Sequence, residues 1–383
     1  MIWPACGAEP PAEGCGDAAQ AGSSATSDVV ALASGDLEIR HGGDGSFSLW
    51  SASFGEGFHS GRGALREAQE TFVQPSQLER FCPGERLKVV EVCVGTGTNL
   101  AALLEASAAA GLELEWWGLE LDPAPLQLAL AEPAFRSQWH PQTLKTLESL
   151  SEWGGWQQGC WQQGCWQQGA GSGRMLWGDA RQTLPHLLEQ RRGQVDLIWH
   201  DAFSPQHCPQ LWTVEFLGSL AELLADGGRW ISFCSAAAVR EGLRLASLNV
   251  VALATADGAR LGKPDSALAA DAEGVEAEEG VERADDCLKP DQSANQRRAW
   301  SGGTLASRAP LAASAVWRRL TAMEREHLAC SAGEPYRDPS GTAEAAAIQA
   351  YRREAQADSL ARGERTSSSA WRRRWGMETR RMK

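Results

Sequence analysis

The feature that most constrains this chain is an apolar run, Leu87 to Val94, that stops at Gly95-Thr96-Gly97 and passes directly into the helix-patterned stretch Leu100 to Ala110. A short run rich in Val with little polar alternation suits a strand buried on both faces, which is the habit of parallel sheets. The same order recurs along the chain. Strand Leu114 to Leu119 precedes helix Pro125 to Ala131, and strand Met175 to Trp177 precedes a helix around Leu184 to Gln190. Strand Val195 to Trp199 precedes helix Trp212 to Leu224, and strand Arg229 to Cys234 follows the turn Asp226-Gly227-Gly228. Repeated strand–helix units predict an α/β fold with a doubly wound, mostly parallel sheet, whose ligands lie beyond the carboxyl ends of the strands. Upstream, Leu37-Glu38-Ile39 and Phe47-Ser48-Leu49 alternate about Gly42-Gly43-Asp44-Gly45, which predicts a small β-hairpin. Ala64 to Phe81 carries Leu65, Ala68, Phe72 and Leu78 at mostly helical spacing.

Two segments interrupt the order. Trp156 to Gly169 repeats Trp-Gln-Gln-Gly three times with neither strand nor helix period, so residues 154–172 are expected to form an inserted surface loop. Residues 263–298 are acidic, rich in Ala and short of bulky apolar side chains, which predicts a disordered insertion. With a disordered leader at 1–35, the core domain is expected to span 36–262 plus 299–310, followed by a helical or disordered tail at 311–383. The leader lacks a basic start and apolar core, and no apolar stretch reaches membrane-spanning length. A cytoplasmic protein with reduced thiols and no membrane contact is therefore expected. The formal charge of −13 argues against a broadly basic, nucleic-acid-coated surface but leaves room for a local basic face. Arg136, Lys145, Arg174, Arg240, Arg244 and the arginine-rich end are candidates for one.

The candidate site lies in the residues just past the carboxyl end of each strand. Glu91-Val92-Cys93-Val94-Gly95-Thr96-Gly97-Thr98-Asn99 puts glycines where backbone must approach a nucleoside closely. Glu120 closes the next strand, where a carboxylate accepts from both ribose hydroxyls. Leu100 stands where a dinucleotide turn would need its third glycine, so a pyrophosphate cradle is disfavoured. Asp179 comes after the third strand and reads either as an acceptor for an adenine amine or as a helix cap. Asp201 comes after the fourth and is the catalytic candidate, with Phe203, Pro205 and Trp212 as pocket walls or plain core. His200, His207, Cys160 and Cys165 lack the spacing of a zinc site, so no metal is expected.

Taken together, Glu91 to Leu100, Asp201-Ala202-Phe203-Ser204-Pro205-Gln206, Pro209-Gln210-Leu211-Trp212, Leu224-Ala225-Asp226-Gly227-Gly228 and Phe233-Cys234-Ser235-Ala236 to Arg240-Glu241-Gly242-Leu243 resemble the methyltransferases of tRNA wobble-uridine modification. The resemblance covers roughly Leu37 to Ser307 without the insertions, and the Asp-Ala-Phe-Ser-Pro block is its most specific part. It implies a Rossmann-like class I fold, S-adenosylmethionine as cofactor and methyl transfer to the amine of 5-aminomethyl-2-thiouridine at position 34. It further implies that Glu91, Gly95, Gly97, Asn99, Glu120 and Asp179 bind the cofactor and that Asp201 holds the amine. Cys93 departs from the pattern by replacing the first glycine of the turn. No second glycine fingerprint follows Gly228, so the chain looks like the stand-alone form, partnered by the anticodon region of tRNA and by a separate oxidase or other modification enzyme. A small-amine transferase of similar fold and a degenerate cofactor-binding module are the competing readings.

Overall fold

The computed structural model of the chain describes residues 36–158, 171–254 and 302–377. The expected leader, the middle of the Trp-Gln-Gln-Gly repeat and the acidic insertion lie outside the described residues. At the start, β1 (Leu37–His41) pairs antiparallel with β2 (Phe47–Ser51), His41 opposite Phe47, and β3 (Glu56–Gly57) pairs with the other side of β2. Asp44 fixes the turn by accepting from the Ser46 N–H (2.9 Å) and from the Arg66 N–H (3.0 Å). The segment from Ala64 to Arg80 is helical as expected, but Ala68–Val73 is wound wider, as a π-helix. Pro75 offers no N–H to the carbonyl one regular turn back, which favours a change of winding here. The segment is tied to the sheet. Arg229 donates to the carbonyls of Pro75 (3.0 Å) and Ser76 (3.1 Å), Trp199 Nε1 donates to Ser76 Oγ (3.0 Å), and Phe72 packs on Trp199.

The main sheet contains β4 (Arg86–Val92), β5 (Glu113–Glu120), β6 (Gly155–Gln158), β7 (Gly171–Trp177), β8 (Val195–His200), β9 (Leu224–Ser232), β10 (Asn249–Leu253), β11 (Thr304–Ser307) and β12 (Trp317–Arg318). Their spatial order is β12-β10-β11-β9-β8-β4-β5-β7-β6. The pairs β4–β5, β4–β8, β5–β7 and β8–β9 are parallel, as the repeated units predict. The connecting helices are α1 (Thr98–Ala109), α2 (Ala124–Ala131), α3 (Pro141–Trp153), α4 (Ala180–Arg191), α5 (Val214–Leu223) and α6 (Ala237–Leu245).

β4 sits centrally because both its faces are apolar. Leu87 and Val89 join a core that includes Leu100 and Leu103 of α1, whereas Val90 and Val92 join one that includes Leu184 and Leu187 of α4 and Leu217 and Leu220 of α5. Each such fully buried side chain contributes about 1.5–3 kcal/mol, which explains an apolar run without alternation. The chain first builds outward from β4 through β5 to β7, then returns to β8 and β9 on the other side. The connections diverge between β4 and β8, and a crevice opens at their carboxyl ends.

The antiparallel strands depart from the expectation drawn from period alone. Gly155–Gln158, the first part of the expected loop insertion, is the edge strand β6. Trp156 is opposite Gly173 in register, and a Cβ at Gly173 would collide with the indole, so the ring occupies space that only glycine leaves. β11 inserts between β9 and β10, and β12 extends that edge. Beyond it lie α7 (Ala322–Ala329), α8 (Ala345–Ala361) and α9 (Ser368–Arg374). Arg240 of α6, expected among candidates for a basic surface, is instead 1% exposed and pairs with the equally buried Glu324 of α7 at 3.1 Å. It also donates to Thr304 Oγ1 (3.0 Å) and Gly303 O (3.0 Å), so its charge is spent inside the fold.

Candidate functional site

β4 delivers the turn. At Cys93 the backbone enters the left-handed region (φ 64°), and Gly95 (55°) and Gly97 (79°) adopt it as well. Gly95 and Gly97 do this freely, whereas the Cys93 side chain makes the conformation costly by about 1–2 kcal/mol. A Cβ on Gly95 would stand 3.0 Å from Phe58 Cδ1, so this turn approaches the N-terminal segment as closely as backbone allows. Its N–H donates to Glu120 Oε2 (2.8 Å), while Glu120 Oε1 accepts from the N–H groups of Leu121 (2.7 Å) and Asp122 (3.2 Å). Burial raises the Glu120 pKa and these backbone donors partly offset it. The carboxylate at the end of β5 thereby holds the glycine turn at the end of β4.

Asp201 comes directly after β8, its N–H bonded to Val92 O at 3.0 Å. Asn99, in the first turn of α1, donates from Nδ2 to Asp201 Oδ2 at 2.7 Å. Asp201 Oδ1 and Asn99 Oδ1 are buried and accept no hydrogen bond among the described residues. Burial first, and then the charge of Glu67, push the Asp201 pKa well above the usual carboxylate range, with the Asn99 bond opposing them.

Cys93, Gly95, Asn99, Glu120, Asp201 and Phe203 all line one cavity of about 350 Å³. Its far side comes from the N-terminal segment through Phe54, Phe58, His59 and Glu67, none of which the sequence pattern singled out. Phe54 stacks on Phe203 (4.6 Å, 27°) and Phe58 meets Phe203 edge-on (5.1 Å, 81°). Their signal was the aromatic and glycine density of Phe54-Gly55-Glu56-Gly57-Phe58-His59-Ser60 between a hairpin and a helix. His59 is half-buried with Nδ1 2.9 Å from Ser48 Oγ, and desolvation lowers its pKa to about 4, so it is neutral at physiological pH.

Five other expected site residues do not line the cavity. Glu91 is buried within β4, where Oε2 accepts from Trp116 Nε1 of β5 (3.0 Å) and Oε1 has no partner among the described residues. Burial raises its pKa well above the usual range, and the Trp116 hydrogen bond opposes that rise. Asp179 caps α4, accepting from the Arg181 N–H (2.9 Å), and pairs with the Arg181 guanidinium (2.7 Å), which also holds Asp338 (3.1 Å). Of the two sequence readings for Asp179, the cap is the one with a partner. Gly97 starts α1, with a notional Cβ 2.9 Å from Leu126 Cδ1. Pro205 is buried away from the cavity, and Trp212 is core, stacked on His200 at 4.2 Å with Nε1 bonded to Phe203 O at 2.8 Å. His200 has both ring nitrogens unpartnered among the described residues, and burial takes its pKa down to about 3, so it carries no charge at physiological pH.

A family model described as S-adenosyl-L-methionine-dependent methyltransferase matches residues 153–259, the stretch from α3 through β10 that contains Asp201. The chain carries a methyltransferase domain that uses S-adenosylmethionine. Among curated proteins, the methyltransferase domain is similar to the tRNA 5-methylaminomethyl-2-thiouridine biosynthesis bifunctional protein MnmC of Pseudomonas fluorescens (strain Pf0-1), 32% identical over 214 residues, covering 52% of this chain and 30% of that protein. The MnmC of Chromobacterium violaceum is 30% identical over 214 residues with the same coverage. The chain thus spans under a third of the length of these relatives. Among solved structures, MNMC2 from Aquifex aeolicus superposes with a TM-score of 0.56 at 24% identity, covering 82% of this chain and 83% of that one, which shows that the two share the Rossmann-like α/β fold.

The cavity of this methyltransferase suits its cofactor. Glu120 already accepts from three backbone N–H groups yet retains about one acceptor site, on Oε2, for a hydroxyl donor, since a carboxylate offers about four. Gly95 leaves the backbone bare beside it, Leu121 and Pro125 supply apolar lining, and Asn99 Oδ1 has no donor among the described residues.

Proposed function

We propose that the protein methylates the primary amine of 5-aminomethyl-2-thiouridine, or its unthiolated form, at tRNA position 34. The observation that carries this reading is Asp201, which lines a cavity walled by Phe54, Phe58 and Phe203 and whose buried Oδ1 has no partner among the described residues. Such an oxygen costs free energy unless a donor arrives, and an amine supplies one. The names of the MnmC relatives support the choice of tRNA and of an aminomethyl product.

In this reading Glu120 and the Cys93–Gly97 turn hold the nucleoside of S-adenosylmethionine, which when bound supplies an electrophilic methyl group. Asp201 orients the amine through its N–H groups, and Asn99 holds Asp201 in place. The phenyl rings exclude water, which strengthens each of these interactions. Holding both reactants in line contributes as much as about 7–11 kcal/mol toward lowering the barrier. Another enzyme must make the amine, and a separate oxidase or other modification enzyme fits that role. Arg136, Lys145, Arg174 and Arg244 stay candidates for phosphate contacts, whereas the buried Arg240 does not.

The test is transfer of labelled methyl from S-adenosylmethionine to tRNA carrying 5-aminomethyl groups. The full chain incorporates label, and Asp201→Asn lowers kcat at least about 100-fold, the lower range for a positioned proton acceptor, while still binding S-adenosylhomocysteine. Absence of incorporation by the native chain overturns the reading.

A further inference from the structure

Glu67 enters the same cavity as Asp201 from the helical segment after the hairpin. The Ser60 N–H donates to its Oε2 at 3.2 Å. The same cavity is lined by the stacked and edge-on rings of Phe54, Phe58 and Phe203. Two carboxylates with aromatic rings lining one cavity form a receptor for an organic cation, because the acids supply opposite charge and the ring faces supply negative quadrupole. We propose that Glu67 and Asp201 work as a carboxylate pair that binds the substrate amine as an ammonium and stores its proton during methyl transfer, making Glu67 a second catalytic residue. This inference rests on the amine-methylation reading above.

The proton balance shows why one carboxylate is not enough. An alkyl ammonium has no lone pair to attack with. One N–H proton passes to a carboxylate oxygen of the pair, and the lone pair it leaves behind forms the new C–N bond as the sulfonium C–S bond breaks with its electrons staying on sulfur. The product is a secondary ammonium. It needs an anionic partner at the moment the other carboxylate holds the proton, and the second acid provides it. The charge sum is unchanged: two carboxylates, one ammonium and one sulfonium become one carboxylate, one carboxylic acid, one ammonium and a neutral thioether.

The surroundings favour such a pair. Burial raises the pKa of Glu67, countered by its bonds to Ser60 and by the charge of Arg62, and burial together with the Glu67 charge raises that of Asp201. Two like charges in one cavity titrate as a unit, and an arriving cation favours the form in which both are ionised. The other titratable groups facing the pair are Asp44 and Arg62 beside Glu67, the neutral His59, and Glu56, Glu120, Cys93 and Cys208 on the cavity wall. Arg62, whose charge acts on Glu67, lies outside the cavity lining.

Glu67→Gln tests the pair, since glutamine keeps an oxygen for the Ser60 N–H. With tRNA carrying 5-aminomethyl groups, the variant lowers kcat near neutral pH by about 10²-fold or more. The deficit shrinks as pH rises toward the pKa of the free amine, because the substrate then sheds its own proton. Glu67→Asp recovers part of the rate. A deficit equal at every pH, or no deficit, overturns the inference even though native methyl transfer stands. A second readout separates it from the assigned substrate. In calorimetry with S-adenosylhomocysteine present, the native protein prefers 5-aminomethyluridine to uncharged 5-hydroxymethyluridine, and Glu67→Gln reduces that preference at least 10-fold; equal binding of the two nucleosides by the native protein also overturns the pair. Failure of native transfer to tRNA with this cation preference intact would instead count against the substrate assignment alone.

Discussion

Arg240→Met should destabilise the protein without altering its hold on RNA. Breaking a buried ion pair by removing one partner costs about 3–5 kcal/mol, because the other charge is left uncompensated. Here Arg318 stays 2.6 Å from Glu324 Oε2, which places the loss near the lower figure, about 3 kcal/mol. Gly303 O and Thr304 Oγ1 lose donors as well, although Thr304 still donates to Cys234 O. Against a typical stability of about 5–15 kcal/mol this is large, and with a urea m-value of about 3 kcal/mol/M it moves the unfolding midpoint down by about 1 M. The pH dependence supplies an independent check. Burial pushes the Glu324 pKa up, but the Arg318 bond, the Thr321 N–H and the Arg240 charge more than offset it and bring it down to about 2. A depressed folded-state pKa gives stability that is fully present above the ordinary value of 4.5 and is lost as pH falls from there through about 2. The native protein should therefore lose its advantage over Arg240→Met across that window. Urea unfolding at pH 7 and at pH 3 to 5 measures this. A cost below about 1 kcal/mol at pH 7, or a cost that persists unchanged on acidification, would refute the buried-pair account. So would a native-like melt combined with a shallower salt dependence of tRNA binding, which is the mark of a lost phosphate contact.

Other expectations concern the cavity. Glu120→Gln points an amide N–H₂ at one set of backbone donors and removes a charge facing the nucleoside, so affinity for S-adenosylhomocysteine should fall about 10- to 100-fold, the value of one charge-assisted hydrogen bond; unchanged calorimetric affinity would contradict the assigned role. Cys93→Gly relieves about 1–2 kcal/mol of left-handed strain and adds about 0.5–1 kcal/mol of unfolded-state entropy, for a net gain of up to about 1.5 kcal/mol. A fall in urea midpoint would show that the thiol contributes more by packing than its backbone costs.

The sequence was most informative where one residue type has one physical use. An apolar run buried on both faces, ending in glycines, identified β4 and its turn, and an acidic residue closing the next strand identified Glu120. It was ambiguous where one residue type serves two ends. Asp179 before a helix reads equally as cap or ligand, and its guanidinium partner Arg181, two residues on, is engaged also by Asp338, 157 residues from Arg181. Arg240 read as surface charge because its partner Glu324 lies 84 residues away, a separation no local pattern can bridge. The aromatic wall was illegible for a third reason. Phe54 and Phe58 sit in a loop with no period, so nothing along the chain states which strand ends they will cover.

The wall and the sheet edge are nevertheless bound to each other in a definite way, and this bears on the chemistry. Glu56 Oε2, next to Phe54 in the N-terminal segment, accepts the N–H of Ser204 at 2.9 Å, in the loop that begins with Asp201. Farther off, Arg229 and Trp199 hold Pro75 and Ser76 of the segment that carries Glu67. The spacing of Glu67 and Asp201 is therefore set at two points, one on the cavity rim and one across the sheet. A flexible lid could position an acid only on average. Proton transfer between an amine and a carboxylate requires heavy atoms held within roughly 2.6–3.2 Å, and an anchor at each end of the segment limits how far Glu67 can drift from the loop that carries Asp201.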